Sequence, residues 1–250
     1  MLHLPLTPEN GFLPDLDAIP EETARKAKLF FVNYPNNPTG ACADLAFYEK
    51  LVAFCKQHNL VLVSDLAYGE IGFDGYKPPS IFSVPGAKTC AIEFHSFSKS
   101  FNMAGFRVGW ACGNKDIVKS LYTIKTNLDY GVSNAIQDGA AYALNHAEEF
   151  LPAIAQTYQE RRDVVVEGFR KLGWQVEPTK GSMYVWLPIP KQFETSKDWT
   201  VHLIDNADVV VTPGVAFGDA GDDGRRDCQA IPAGWRDSPA PPYHRGAARG

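Results

Sequence analysis

The chain has 250 residues, of which 45% are hydrophobic and 21% are charged, and its formal net charge is −5. These proportions are close to globular averages and exclude collagen-like, low-complexity and largely disordered chains. An acidic balance argues against a nucleic-acid-binding protein, which usually carries a basic excess. The scattered cysteines include no CxxC pair, so neither a disulfide framework nor a metal site is expected. Apolar runs are too short to span a bilayer, and the opening residues lack a signal-peptide pattern, so we expect a soluble cytoplasmic protein.

The first regular elements in the sequence predict a strand, a helix and a second strand. Residues 1–27 are proline-rich and irregular, and residues 28–33 form the first predicted strand. A helix is predicted from Asp44, which is a suitable N-cap, to about His58. Residues 60–64 are uniformly apolar, as in strands that are buried on both faces. The three elements predict a right-handed βαβ unit.

Two more predicted strands lie close together in sequence. They cover residues 89–95 and 107–112, and only residues 96–106 separate them. Parallel neighbours need a crossover of about a dozen or more residues, so these strands either run antiparallel or are not neighbours in the sheet. We therefore predict an α/β fold with a mostly parallel sheet, one antiparallel strand and flanking helices.

The second half of the chain begins with a mainly helical pattern over residues 115–172. We expect interruptions of that pattern near residues 129–131 and at Pro152. Alternation typical of strands returns at residues 174–176 and 183–187. This change of period predicts a second, smaller α+β domain.

The predicted domain division has three parts. Residues 1–160 form a large domain, residues 161–218 a small α+β domain, and residues 219–250 an irregular tail. The tail follows a predicted strand at residues 208–212 and is rich in glycine, proline and arginine without a usable hydrophobic period. Ordinary disorder and a reading-frame error in the source sequence both explain this abrupt change, and no fold is assigned to the tail.

Polar and charged side chains follow the predicted strands at the points where these strands end. In open α/β sheets, ligands bind outside the carboxyl ends of the strands, so these side chains are candidates for one binding site. The set comprises Asn36 and Asn37 after the first strand, Asp65 and Tyr68 after the second, Ser96, Ser98 and Lys99 after the third, and Arg107 at the start of the fourth.

Each candidate also has an ordinary structural interpretation. Lys99 could be a solvated surface lysine, Asp65 a turn or helix cap, Arg107 a structural ion-pair residue, and Asn37 part of an Asx-turn, while His95 is interpreted as a packed core histidine. Together, however, these residue types suit a phosphorylated cofactor that carries an aldehyde and a basic ring nitrogen. An amine takes the aldehyde, a carboxylate pairs with the protonated nitrogen, and hydroxyls with a guanidinium hold the phosphate.

Three stretches of the chain carry a resemblance to a known family. They are Asn33-Tyr-Pro-Asn-Asn-Pro-Thr-Gly40, Ser64-Asp-Leu-Ala-Tyr68 and Ser96-Phe-Ser-Lys-Ser-Phe-Asn-Met-Ala-Gly-Phe-Arg-Val-Gly109. In this order they resemble the fold-type I aminotransferases of class I/II, and the resemblance extends from residue 1 to about residue 218.

The resemblance implies a cofactor, pyridoxal 5′-phosphate, and a role for each candidate residue. Lys99 would be the catalytic residue, because it binds the cofactor aldehyde as a Schiff base and carries the substrate proton. The other implied roles are pairing with the pyridine nitrogen (Asp65), hydrogen bonding to the ring hydroxyl (Tyr68 and Asn37), binding of the substrate carboxylate (Asn37) and binding of the phosphate (Ser96, Ser98 and Arg107).

Within this family the chain is most similar to the LL-diaminopimelate aminotransferases. The similarity implies transamination between LL-2,6-diaminopimelate and 2-oxoglutarate in lysine biosynthesis, by a homodimer that binds small amino and 2-oxo acids. The alternatives are another class I aminotransferase (acting on alanine, aspartate or N-succinyl-diaminopimelate), a pyridoxal-phosphate-dependent C–S lyase, a regulator that binds the cofactor without turnover, or an inactive fragment.

Two features of the family pattern have no counterpart in this sequence. One is a preceding segment with a glycine-rich phosphate-binding turn and an aromatic residue that stacks on the cofactor ring. The other is an arginine in an aliphatic strand after residues 214–218, which binds the substrate carboxylate. The chain is therefore expected to be a fragment of an aminotransferase, truncated at its N-terminus and aberrant at its C-terminus.

Overall fold

The computed structural model describes residues 2–218 and 227–230, and its main element is a four-stranded sheet. The sheet has the order β1-β2-β3-β4, in which β1, β2 and β3 are parallel and β4 is antiparallel to β3. This confirms the predicted, mostly parallel sheet with one reversed strand. The strands are β1 (Leu29–Asn33), β2 (Val61–Asp65), β3 (Ala91–Ser96) and β4 (Gly109–Gly113).

Helices flank this sheet and a second, three-stranded sheet lies further along the chain. No helix in the described part of the chain is long and apolar enough to cross a membrane. The helices are α1 (Glu21–Lys26), α2 (Leu45–Gln57), α3 (Phe97–Ser100), α4 (Lys115–Leu128), α5 (Asn134–Asn145), α6 (Ala147–Lys171) and α7 (Ser196–Ala207). The second sheet is antiparallel, with the order β5 (Val185–Pro188), β7 (Asp227–Ala230) and β6 (Thr212–Pro213).

Helix α2 closes one face of the main sheet. Its N-cap is Asp44, as the sequence predicts, and the carboxylate accepts a hydrogen bond from the N–H of Phe47 at 2.8 Å. One side of the helix, which includes Tyr48, Leu51 and Cys55, is fully buried in the largest hydrophobic cluster. Burial of each large apolar side chain contributes about 1.5–3 kcal/mol, so this face of α2 holds the sheet in place.

The helical second half differs from the prediction at Pro152. The chain bends out of helical geometry at residues 129–133, as predicted, but the next break is at His146, between α5 and α6. Pro152 lies inside α6, so the predicted interruption there is wrong. The proline removes one hydrogen bond close to the start of a long helix, and the turns that follow are stabilised by packing. At the other end, Gly173 has a φ of 85° and stops the helix, as expected.

The strands of the small sheet are shorter than the alternation predicts. Residues 174–176 are not a strand, because Trp174 folds back onto Phe169, with 5.0 Å between the ring centroids. The predicted strand at 208–212 is also wrong, since Asp208 caps α7 in a left-handed conformation and only Thr212–Pro213 pair.

The predicted domain division and tail are addressed by the structure only in part. Helix α6 runs through the predicted boundary at residues 160–161. The predicted irregular tail falls mostly outside the described residues, and Asp227–Ala230 within it form β7. The division into domains stays a prediction.

Candidate active site

The carboxyl ends of the three parallel strands lie at one level. Asn33 is in register with Asp65, and Asp65 is in register with Phe94. The Asn33 side-chain amide donates to the backbone carbonyl of Asp65 at 3.0 Å and joins the ends of β1 and β2. Because β4 is antiparallel, it begins at this same edge, where Gly109 pairs with Ser96. The strand register therefore brings the candidate residues to one edge of the sheet.

The turn after β1 is held by its own side chains. The Asn33 side-chain oxygen accepts from the N–H of Asn37 at 2.8 Å. Asn36 is buried, and its amide donates to the carbonyl of Asn33 at 3.2 Å while its oxygen accepts from the Thr39 hydroxyl at 2.7 Å. These bonds fix Asn37 at the sheet edge, where its side chain hydrogen-bonds the hydroxyl of Tyr68.

Tyr68 lies close to three of the other candidates, Asn37, Asp65 and Lys99. It is only 5% exposed, and the Lys99 Nζ atom lies 5.8 Å from the centre of its ring. Its hydroxyl lies 2.9 Å from the hydroxyl of Tyr184. Burial is the main cause that raises the pKa of Tyr68, and the Tyr184 bond and the nearby Asp65 carboxylate raise it further. Tyr68 is therefore a neutral phenol throughout the physiological pH range.

Asp65 ends β2 with a carboxylate that is partly removed from water. Its Oδ1 atom accepts from the N–H of Ala67 at 3.2 Å. Burial raises the pKa of Asp65, and this effect outweighs the lowering by the Ala67 bond and by the charge of His95. Such a carboxylate gains more from a cationic partner than a fully hydrated one does.

The short helix α3 presents the serines and the lysine. Ser96 is its N-cap, and its Oγ atom accepts from the N–H of Ser98 at 3.2 Å, which leaves the Ser96 hydroxyl proton free to donate. Phe97 is buried and anchors the helix, while Ser98 and Lys99 stay partly accessible. Serine favours this N-cap position, so the sequence itself dictates where the helix begins.

Arg107 lies on the same connection between β3 and β4, and its side chain is hydrogen-bonded within that loop. Its Nη1 atom donates to the carbonyl of Ala104 at 3.0 Å, and the side chain is exposed. Its backbone is left-handed, with a φ of 52°, a conformation that costs roughly 1–2 kcal/mol for a residue with a Cβ. The structure thus brings Arg107 to the edge that carries Ser96, with its guanidinium engaged by the loop.

Two groups of residues at this edge are absent from the sequence-based site. Tyr184 is one, and its only signal is an aromatic residue in an alternating segment. The other is a network around Glu93, which is 1% exposed. Its carboxylate accepts hydrogen bonds from the Ser80 hydroxyl (2.7 Å), the Ile81 N–H (2.9 Å) and the Ser64 hydroxyl (3.2 Å), and it lies 3.1 Å from His95 Nε2.

His95 is a partly buried link between this network and β4. Its ring stacks on Trp110, with 3.8 Å between centroids and 4° between planes. The one sequence signal that could have indicated this buried polar network is a charged residue inside an apolar strand, as Glu93 is.

The donor set suits the cofactor that the residue types suggest. An amine, a carboxylate, a neutral phenol with an adjacent amide, and two hydroxyls with a guanidinium match an aldehyde, a ring nitrogen, a ring hydroxyl and a phosphate, respectively. The approach of the Lys99 amine to the Tyr68 ring places the first and third of these groups side by side.

The sequence comparisons agree with the geometry. Residues 1–228 match the family model described as aminotransferase class I and II. The chain belongs to this family. An LL-diaminopimelate aminotransferase 2 of Trichormus variabilis is 54% identical over 219 residues, which are 88% of this chain and 56% of the relative. An LL-diaminopimelate aminotransferase of Moorella thermoacetica is 48% identical over 219 residues, again 88% of this chain and 56% of the relative.

Solved structures of the family have the same fold. Apo-BacF from Bacillus subtilis superposes with a TM-score of 0.86 and 43% identity, over 92% of this chain and 60% of that protein. An aminotransferase from Staphylococcus aureus gives a TM-score of 0.85 and 37% identity over the same shares. The predicted fold class is confirmed, and the chain spans a little more than half the length of the family members it matches.

Proposed function

We propose that this chain carries the pyridoxal-phosphate-binding residues of an LL-diaminopimelate aminotransferase. Aminotransferases of class I and II depend in general on pyridoxal phosphate. Relatives that carry the diaminopimelate name are 46–54% identical to this chain, which supports LL-2,6-diaminopimelate as the amino donor. We propose 2-oxoglutarate as the acceptor. The observation that carries the proposal is the position of Tyr68, which has Lys99, Asn37 and Asp65 around it.

In this proposal each candidate side chain binds one part of the cofactor. Lys99 would hold the aldehyde through Nζ, and Asp65 would pair with the protonated ring nitrogen. When it is bound, pyridoxal phosphate stabilises negative charge at the substrate α-carbon. The remaining contacts are to the ring hydroxyl (Tyr68 and Asn37) and to the phosphate (Ser96, Ser98 and Arg107).

The chain's own residues then position the substrate and move its proton. Lys99 lies at the same sheet edge, and its free amine would take the substrate α-proton on Nζ. A positioned general base of this kind contributes about 10²–10⁴-fold to the rate. Asn37 also binds the substrate carboxylate, and Tyr68 remains a neutral hydrogen-bond donor throughout. In the parent enzyme we place this site in a cytoplasmic homodimer that binds small amino and 2-oxo acids.

The proposal is tested first by cofactor binding. The purified chain is mixed with pyridoxal phosphate, and the visible absorbance of lysine-bound cofactor is recorded. We expect a band that borohydride reduction traps on one peptide containing Lys99. A chain that leaves the spectrum of free pyridoxal phosphate unchanged has no assembled site, and this result would contradict the proposal.

A second measurement separates the reaction classes. The cofactor-loaded chain is given LL-2,6-diaminopimelate and 2-oxoglutarate, and glutamate is measured. Glutamate formation supports transamination, whereas release of pyruvate and ammonia from a cysteine-type substrate indicates a lyase. N-succinyl-diaminopimelate is the matched donor control, because a solved structure described as a probable N-succinyldiaminopimelate aminotransferase from Thermus thermophilus has a TM-score of 0.83 at 31% identity.

A further inference from the structure

Tyr184 contacts the proposed cofactor site from a distant part of the sequence. Its hydroxyl lies 2.9 Å from that of Tyr68, and the two rings meet edge to face with 5.5 Å between centroids. Both residues are buried, at 7% and 5% exposure. A buried phenol–phenol contact of this length is a hydrogen bond in which one hydroxyl donates to the other.

Backbone hydrogen bonds fix Tyr184 relative to Tyr68. The N–H of Ser182 donates to the carbonyl of Ile71 at 2.9 Å, and the N–H of Phe73 donates to the carbonyl of Lys180 at 2.9 Å. Gly72 and Gly181 form a β-bridge between these two bonds. The segment that carries Tyr184 is therefore bound to the loop that follows Tyr68, and the two phenols cannot separate without breaking this pairing.

The hydrogen-bonding capacity of a phenol limits what Tyr68 can do. A phenolic oxygen has one proton to donate and accepts up to two hydrogen bonds. Asn37 and Tyr184 are both within reach of the Tyr68 oxygen. In the cofactor-free chain the Tyr184 contact raises the pKa of Tyr68, so Tyr68 is the donor of that pair. When a third group at the sheet edge takes the Tyr68 proton, the same geometry lets Tyr184 donate to the Tyr68 oxygen, as Asn37 does.

We propose that Tyr184 is a positioning residue that donates to Tyr68 and thereby directs the Tyr68 hydroxyl proton toward the ring oxygen of the cofactor. This inference rests on the proposed function, in which Tyr68 binds that ring oxygen. The titratable groups around Tyr68 are Asp65 from β2, Lys99 from α3, Tyr158 from α6 and Tyr184 itself.

The test is a pH titration of the visible band of lysine-bound pyridoxal phosphate in the full chain. A hydrogen bond donated to the ring oxygen favours the deprotonated form of that oxygen. If the Tyr68 hydroxyl no longer donates to it, the midpoint of the pH titration therefore rises. For Tyr184→Phe we expect an upward shift of about 0.5–1 pH unit and a cofactor Kd raised about 2–10-fold. Phenylalanine keeps the ring and its packing, which preserves the fold.

Two further variants separate positioning from packing. Tyr158→Phe removes a hydroxyl from the same cluster and leaves the Tyr68–Tyr184 pair intact, so its midpoint should equal that of the unsubstituted chain. In a Tyr68→Phe background, Tyr184→Phe should cause no further shift, because Tyr184 acts only through Tyr68.

The outcomes distinguish this inference from the proposed function. A visible band with the same midpoint in Tyr184→Phe and the unsubstituted chain overturns the inference alone. A shift that persists in the Tyr68→Phe background also overturns it, since Tyr184 would then act by another route. An unsubstituted chain without a visible band overturns the cofactor proposal and the inference together.

Discussion

The amine of Lys99 lies over the face of Tyr68, with 5.8 Å between Nζ and the ring centre. The two residues follow different strands, and they meet because β2 and β3 are parallel and end at neighbouring register positions. A cation over an aromatic face is stabilised by about 0.5–1 kcal/mol when exposed, so the contact holds the lysine without immobilising it. A lysine in this setting remains free to react.

The first prediction concerns Lys99. We expect Lys99→Ala to lose the visible band of lysine-bound pyridoxal phosphate and to lower transamination by at least about 10²-fold, because it removes the nucleophile and the general base. Lys180→Ala is the control, since Lys180 Nζ also lies over a tyrosine ring, 5.9 Å from the centre of Tyr76. A band that survives in Lys99→Ala would assign the covalent bond to another lysine.

The second prediction is that Asp65→Asn weakens cofactor binding yet stabilises the cofactor-free chain. Loss of a hydrogen bond to a charged group costs about 1.5–3 kcal/mol, so the Kd for pyridoxal phosphate should rise about 10–100-fold. Burial raises the pKa of Asp65 above the unfolded value of 3.8, which means that its ionised form opposes folding. The melting temperature of the cofactor-free chain should therefore rise on substitution.

The size of this stability effect depends on pH. The gain from Asp65→Asn should be absent below pH 3.8, grow as pH rises through the raised pKa, and then remain constant. Asp205→Asn, on the exposed helix α7, provides a control for the loss of one negative charge. Equal melting temperatures for the two variants at neutral pH would contradict the prediction.

The third prediction concerns the ion pair between Asp74 and Arg162. Arg162 is buried, and its Nη1 atom donates to Asp74 at 2.7 Å and to the Thr179 carbonyl at 2.7 Å. The Arg162 hydrogen bond lowers the pKa of Asp74 below 3.8. The pair therefore adds stability that is fully present above pH 3.8 and is lost as pH falls through the lowered pKa.

Thermal melts between neutral and acid pH test this pair. We expect Asp74→Asn to lower the melting temperature at neutral pH and to lose less on acidification than the unsubstituted chain. Asp138→Asn, on α5, is the control and should follow the unsubstituted curve. Parallel pH curves for Asp74→Asn and the unsubstituted chain would mean that the ion pair contributes nothing.

The fourth prediction is self-association through β1. This strand is at an edge of the sheet, and Leu29 and Phe31 on its outer face are 51% and 67% exposed. Unpaired edge strands with apolar side chains pair readily with other chains. We expect concentration-dependent association in size-exclusion chromatography with light scattering, and Phe31→Lys should suppress it.

A matched surface variant makes this test specific. Tyr122 on α4 is also 67% exposed but lies outside the sheet, so Tyr122→Lys should leave association unchanged. A chain that remains monomeric at all concentrations without substitution would contradict the edge-strand explanation.

Local sequence signals predicted much of the fold. Short apolar runs bounded by turn residues located β1, β2 and β3, and the Asp44 N-cap located α2. The short connection between β3 and β4 predicted the reversed strand, because a parallel crossover does not fit in that length. These features depend on residues that are neighbours in the chain, so a single sequence is sufficient to predict them.

The features that were missed depend on distant contacts. Tyr184 meets Tyr68 across 116 positions of sequence, and no local pattern contains that contact. The same holds for Glu93, whose partners Ser64 and Ile81 come from two other segments of the chain. The predicted interruption at Pro152 is wrong because packing of the long helix α6 outweighs the local helix-breaking preference of proline.

The reversed direction of β4 determines how the loop that carries Lys99 and Arg107 is attached to the sheet. The connection from Ser96 to Gly109 leaves and rejoins the sheet at the same edge, and both of its ends are clamped by one strand pair. The amine at position 99 and the guanidinium at position 107 therefore lie on one loop whose two ends are fixed to the sheet. The entropy lost in arranging this loop belongs to folding of the chain, so in the proposed site both groups are positioned before a ligand binds.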